Sequence, residues 1–134
     1  MTMIPNLNWM LADVVGVPYV RNAVVFSSDG MVVAQSEGTD QPTVDRLAAA
    51  GAGLQSLGLS IANEFGSGSR ALHQHMIGFD GGFLFLRRAA DGSHLAVVTE
   101  DNVDPELIGF QMQAQVNKIG ESNLASPARR DTGR

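Results

Sequence analysis

The chain is predicted to be an α/β protein in the order α-β-β-α-β-β-β-α, with a five-stranded antiparallel sheet between one long helix and two terminal helices. Three observations carry this. Residues 42–65 hold a helical pattern of apolar and small side chains, too long for a strand. Five short β-prone runs flank it, two before and three after. Three of the connections contain Asp-Gly, the sharpest turn signal available to an antiparallel chain.

The elements follow in order. Leu7, Met10, Leu11, Val14 and Val15 recur at i, i+3, i+4, i+7 and i+8, which predicts a one-sided helix that Gly16 ends ahead of Pro18. Asn22 to Ser28 and Met31 to Ser36, split at Asp29-Gly30, predict a hairpin. Ser36 to Gln41 is a polar connector, and Pro42 suits the first turn of the long helix, where its missing N–H costs nothing. Strands are expected at residues 70–79, 83–88 and 94–100, joined by Asp80-Gly81-Gly82 and Asp91-Gly92-Ser93. Phe83-Leu84-Phe85-Leu86 and Leu95-Ala96-Val97-Val98 are continuous apolar runs, the mark of strands covered on both faces. Asp104-Pro105 opens the last helix, with Ile108, Met112, Gln115, Val116 and Ile119 on its inner face. The domain is expected to occupy residues 1–122, with 123–134 a flexible polar tail.

The long helix is the most informative element. Leu47, Leu54, Leu57, Ile61 and Phe65 fall in one sector, while Val44, Ala48, Gly51, Ala52, Gly58 and Ala62, with Gln55 and Leu59, fill the adjacent one. A helix with one apolar stripe needs one partner, and this one needs two. The large residues suit the sheet. The small ones suit close approach of a second helix, and glycine inside a helix costs up to about 1 kcal/mol against alanine, so Gly51, Gly53 and Gly58 need a packing reason. No other long helix is available within the chain, so a second copy is expected to supply it through a two-fold contact. The predicted dimer interface is therefore Val44, Ala48, Gly51, Ala52, Gln55, Gly58, Leu59 and Ala62, joined by His73 and His75.

Composition narrows the function. The chain has 134 residues, 44% of them hydrophobic, no cysteine and a formal net charge of −5. That suits one domain and excludes disulfides, thiolate metal sites and cysteine nucleophiles. The acidic balance argues against binding nucleic acid or anionic lipid. The basic cluster Arg129, Arg130 and Arg134 reads as a solvated terminus. The start of the chain lacks a signal-peptide pattern, and no apolar run spans a bilayer, so a cytoplasmic protein without direct membrane insertion is expected.

Candidate chemistry thins out on inspection. Gly51-Ala52-Gly53 lies inside a helix and Ser67-Gly68-Ser69-Arg70 lacks the lysine of a phosphate loop, so no nucleotide cofactor is expected. His73 and His75 share one side of a strand but lack a third ligand nearby, so they read as packed side chains near the dimer contact, where titration could make assembly sensitive to pH. Glu100, Asp101, Asp104 and Glu106 suit a helix N-terminus better than acid–base chemistry. Trp9 and Tyr19 read as core or rim, and no nucleophile elbow exists. The reading is a non-enzymatic protein with no metal.

With that order in hand, the sequence resembles the Roadblock/LC7 family, specifically its bacterial single-domain members. The resemblance rests on Leu7-Asn8-Trp9-Met10-Leu11, residues 22–34 around Ser28-Asp29-Gly30, Asp45-Arg46-Leu47-Ala48-Ala49, Gly82-Phe83-Leu84-Phe85-Leu86 and Leu95-Ala96-Val97-Val98. It implies a roadblock/profilin-like fold, and homodimers in which the long helices pack together and sheets join through the third strand. His73, Gln74 and His75 are polar for that strand. It further implies regulators of small Ras-like GTPases, acting as activators or scaffolds, beside a sensor-kinase-like protein that could bring the complex to a membrane. Arg46 and Arg70 are the candidates for an inserted arginine, but bacterial relatives work by docking, for which Asp45, Arg46, Asn63, Glu64 and Arg70 are the expected surface. Two other readings stand beside this one, a small-molecule-sensing domain and a purely structural adaptor.

Overall fold

The computed structural model describes residues 8–67, 72–89 and 92–124. A 3-10 turn, Asn8–Met10, leads into the short helix α1, Ala12–Val15. The hairpin β1, Val20–Ser27, and β2, Val32–Gln35, follows, then the long helix α2, Gln41–Phe65. Strands β3, Gln74–Phe79, β4, Gly82–Arg88, and β5, Ser93–Glu100, precede the last helix α3, Pro105–Leu124. The sheet order is β2-β1-β5-β4-β3, antiparallel throughout, so β1 and β5 are central or near-central and β2 and β3 are edges. Among the described residues no helix is long and apolar enough to cross a membrane.

The sheet divides two cores. Ala23, Val25, Phe85, Leu95 and Val97 meet Leu11, Val14, Ile108, Met112 and Ile119 on the side of α1 and α3. Val24, Phe26, Leu86 and Ala96 meet Val44 and Ala48 of α2 on the other. The central strands are therefore buried on both faces, as the unbroken apolar run of β5 predicts.

Local chemistry sets the ends of the elements. Asp40 caps α2 by accepting from the Thr43 backbone N–H at 3.1 Å, with Pro42 behind it in the first turn. Asp104 caps α3 through bonds from the Glu106 and Leu107 backbone N–H groups. Gly30, at φ +86°, turns the β1–β2 hairpin in a conformation that L side chains rarely adopt. The expected first helix over residues 7–15 is shorter than its pattern suggests, because the chain bends at Leu11 (φ −123°, ψ −3°) before one α-helical turn forms. Gln115, fully buried, ties that bend to α3: its amide oxygen accepts from the Asp13 backbone N–H at 2.8 Å and its amide nitrogen donates to the Trp9 carbonyl at 2.9 Å.

Candidate interaction surface

The long helix has two faces, but they are assigned the other way round from the sequence expectation. Val44, Ala48, Gly51, Gln55, Gly58 and Ala62 are buried against the helix's own sheet, and Ala52 and Leu59 flank them half-buried. The six buried residues are thus corrected from a dimer contact to an internal one, while Ala52 and Leu59 keep part of their surface exposed. The cause is volume. A Cβ on Gly51 would overlap the Phe26 ring, reaching within 2.9 Å of its Cε1 atom, and a Cβ on Gly58 would lie 2.5 Å from His75 Nε2. Large groups on the sheet occupy the space that large groups on the helix would need, so the small sector turns inward.

The large residues are left outside. Leu57 is 65% exposed, Ile61 61% and Phe65 84%, while Leu47 and Leu54 lie half-buried along the margin of the core. Leu47, Ala50, Leu54, Leu57 and Ile61 alternate by three and four residues, the spacing of a helix-pairing seam. Beside this stripe lies β3, the edge strand, whose Met76, Ile77 and Phe79 are all exposed. A hollow of about 390 Å³ lined by Ile61, Leu72 and His75 joins helix and strand. Exposed apolar side chains also occur elsewhere, among them Met31 and Val33 at the β2 edge, but the run on α2 beside the β3 edge is contiguous with the hollow and marks a candidate interaction surface.

His73 is exposed and precedes β3, whereas His75 lies within it and tucks under α2 at Gly58. They line the same hollow. Among the described residues no three metal-binding side chains gather. Asp45 and Arg46 are exposed at the start of α2 and Asn63 and Glu64 at its end, about 25 Å apart along the axis, so they form two patches and not one. Asp45 accepts from Gln41 Nε2 at 2.9 Å. Arg70 and the Ser67-Gly68-Ser69-Arg70 motif beyond Ser67 lie outside the described residues, as does the tail from residue 125.

Sequence reasoning gave His94 no role. It is buried, its ring centroid 5.3 Å from that of Phe26, and its Nε2 lies 3.1 Å from Ser28 Oγ. The Ser28 hydroxyl donates its only proton to the Gly92 carbonyl, so Oγ accepts from His94, which assigns the neutral Nε2–H tautomer. Nδ1 is then a buried lone pair with no partner. Burial first, then the nearby Arg88 and His75, holds this imidazole below its ordinary value of 6.5. A base resisting protonation in the fold contributes stability that is intact above 6.5 and is lost as pH falls below it. Denaturant midpoints measured from pH 7.5 to 5 should therefore fall, and fall less in His94→Phe; parallel curves for the two proteins would contradict this.

With this geometry established, the family is plain. The Roadblock/LC7 domain profile matches residues 7–99, and the chain belongs to that family. A Roadblock/LC7 domain structure from Streptomyces avermitilis is 30% identical, with a TM-score of 0.82 over 90% of this chain and 100% of that one. A second Roadblock/LC7 domain structure from that organism is 35% identical, with a TM-score of 0.68 over 87% of this chain and 100% of that one. Myxococcus xanthus MglB shares the fold at 12% identity, with a TM-score of 0.72 over 84% of this chain and 87% of that one. Among curated proteins no sequence match is found.

Proposed function

We propose that this chain is a non-enzymatic, homodimeric regulator or scaffold of a small Ras-like GTPase in a bacterial signalling complex. Membership of the Roadblock/LC7 family supports the GTPase, since that is what the family resemblance implies. The observation that carries the dimer is the exposed stripe of Leu57, Ile61 and Phe65 on α2 together with the open edge of β3, which meet at the hollow lined by Ile61 and His75. An edge strand with free backbone groups invites a further strand, and an apolar helical stripe invites a second helix. A second copy offers both at once, in the self-complementary arrangement a two-fold contact requires. His75 sits at the margin of this contact.

The partner GTPase then docks on polar residues of α2 that remain exposed, with Arg46 and its neighbour Asp45 at one end and Asn63 and Glu64 at the other. Arg46 Nη2 donates to the Thr43 hydroxyl at 3.5 Å, near the capping Asp40 carboxylate. An inserted arginine would neutralise charge developing on the transferred phosphoryl group; docking alone would hold the GTPase's own catalytic loops. The protein works in the cytoplasm and reaches a membrane through a partner such as a sensor-kinase-like protein. Phosphate release by a small Ras-like GTPase from the same organism, measured with and without this protein alongside their binding, tests the reading. Faster release, or unchanged release with a stable complex, marks activator or scaffold respectively, and no complex at all overturns it. If Arg46→Ala abolishes stimulation while binding persists, the docking-only mechanism is wrong.

A further inference from the structure

We propose that the groove between the free end of the sheet and the start of α3 is a docking site for a partner-protein segment that presents one carboxylate beside an apolar side chain. The groove, of about 560 Å³, lies on the sheet face away from α2. Phe85 forms its floor, and Met76 of β3 and Phe110 of α3, the latter 70% exposed, form its walls. All of its lining residues come from one protomer, although Gln74 and Met76 belong to the β3 edge that the proposed pairing also uses.

Arg87 supplies the charge complementarity. Its Nε donates to Gln74 Oε1 at 3.0 Å and its Nη1 to Gln113 Oε1 at 2.6 Å, so β3 and α3 hold the guanidinium from two sides. Gln113 is itself fixed by a bond to Asn117 Oδ1 at 3.0 Å. Two neutral oxygens orient the group without neutralising it, and no carboxylate among the described residues pairs with it. Its Nη2 lies against Gly109, where an added Cβ would sit 3.9 Å away. A half-buried guanidinium locked in place is arranged for a carboxylate, which it can meet through parallel N–H bonds.

The rim limits what can enter. Asp104 and Glu106 line the same groove, and Asp104 already accepts the two capping bonds of α3. Their negative charge opposes a phosphate or a run of acids, whereas a single carboxylate can reach Arg87 while an adjacent apolar side chain rests on Met76 and Phe110. The open shape suits a segment of chain lying across the surface, with an apolar anchor giving affinity and the carboxylate setting register.

The probe is a panel of labelled twelve-residue helical peptides with Leu or Phe three or four residues from one Glu, each paired with its Glu→Gln counterpart. Fluorescence anisotropy on the full chain should find a Glu peptide that binds about tenfold tighter than its Gln counterpart, as expected for one charge-assisted pair. Arg87→Met, which keeps the aliphatic stem, should erase that ratio, and Arg87→Lys should restore part of it. Phe110→Ser, at an exposed position, should weaken both peptides and leave their ratio intact. The proposal is overturned if no peptide binds at millimolar concentration, or if the Glu preference survives Arg87→Met. It is equally overturned if Arg87→Met changes the sedimentation mass of the protein, because the groove would then be a contact between copies of this chain.

Discussion

Gly51→Ala is expected to destabilise the protein by about 2 kcal/mol, whereas Gly53→Ala, two residues on, should stabilise it by up to about 1 kcal/mol. Both replacements gain the same helix propensity, and only their surroundings differ. At Gly51 the new methyl enters the Phe26 ring, itself fully buried, while at Gly53 nothing lies within 4 Å. Overpacking of a dense core typically costs roughly 1–3 kcal/mol, enough to exceed the propensity gain. A double-mutant cycle makes the cause visible. Phe26→Leu alone should cost about 1–2 kcal/mol, but it removes the ring atoms that the methyl added by Gly51→Ala would strike. The pair should therefore lose less than the sum by about 1 kcal/mol or more. Urea unfolding at constant m-value reads all four proteins. The same change in stability at Gly51 and Gly53, or simple additivity with Phe26→Leu, would remove the packing explanation for the helix's orientation.

That orientation shows where the sequence speaks and where it stops. The order of elements, the Asp-Gly hairpins, the doubly covered central strands and the two-faced character of α2 can all be read from spacing and turn chemistry, because each depends on neighbours within a few positions. Which face of α2 turns inward depends on the volume waiting beneath it, and Phe26 and Leu86 come from strands on either side of the helix in sequence. Periodicity locates an apolar stripe and says nothing about the size of the hole it must fill. A signal was nonetheless present. Leu47, Ala50, Leu54, Leu57 and Ile61 keep a strict three-four alternation, the pattern of a seam between helices and not of a helix on a sheet. The Arg87 groove was beyond sequence reading for a related reason. Gln74 faces Arg87 through the β3–β4 register, and Gln113 reaches it from α3, three placements that only the folded chain brings together.

The observed orientation moves the proposed dimer contact from small residues to large ones, and Leu57→Asp combined with Ile61→Asp is then expected to abolish pairing. Both side chains are more than half exposed within the protomer, so the substitutions should leave its unfolding midpoint almost unchanged at concentrations where it is monomeric. In a paired stripe they would bury two carboxylates on each copy with no cation beside them, at a cost of several kcal/mol and an affinity loss of at least about a hundredfold. Sedimentation equilibrium at micromolar concentration should therefore report twice 14.2 kDa for the unaltered chain and 14.2 kDa for the variant. Ser56→Asp adds a charge to the same helix away from the stripe and should leave the dimer intact. If the doubly substituted protein still sediments as a dimer, the α2 stripe is not part of the contact, and the edge of β3 must carry association alone. A single protomer in the unaltered chain would go further, leaving Leu57, Ile61 and Phe65 for another partner and removing the dimer from the proposed function.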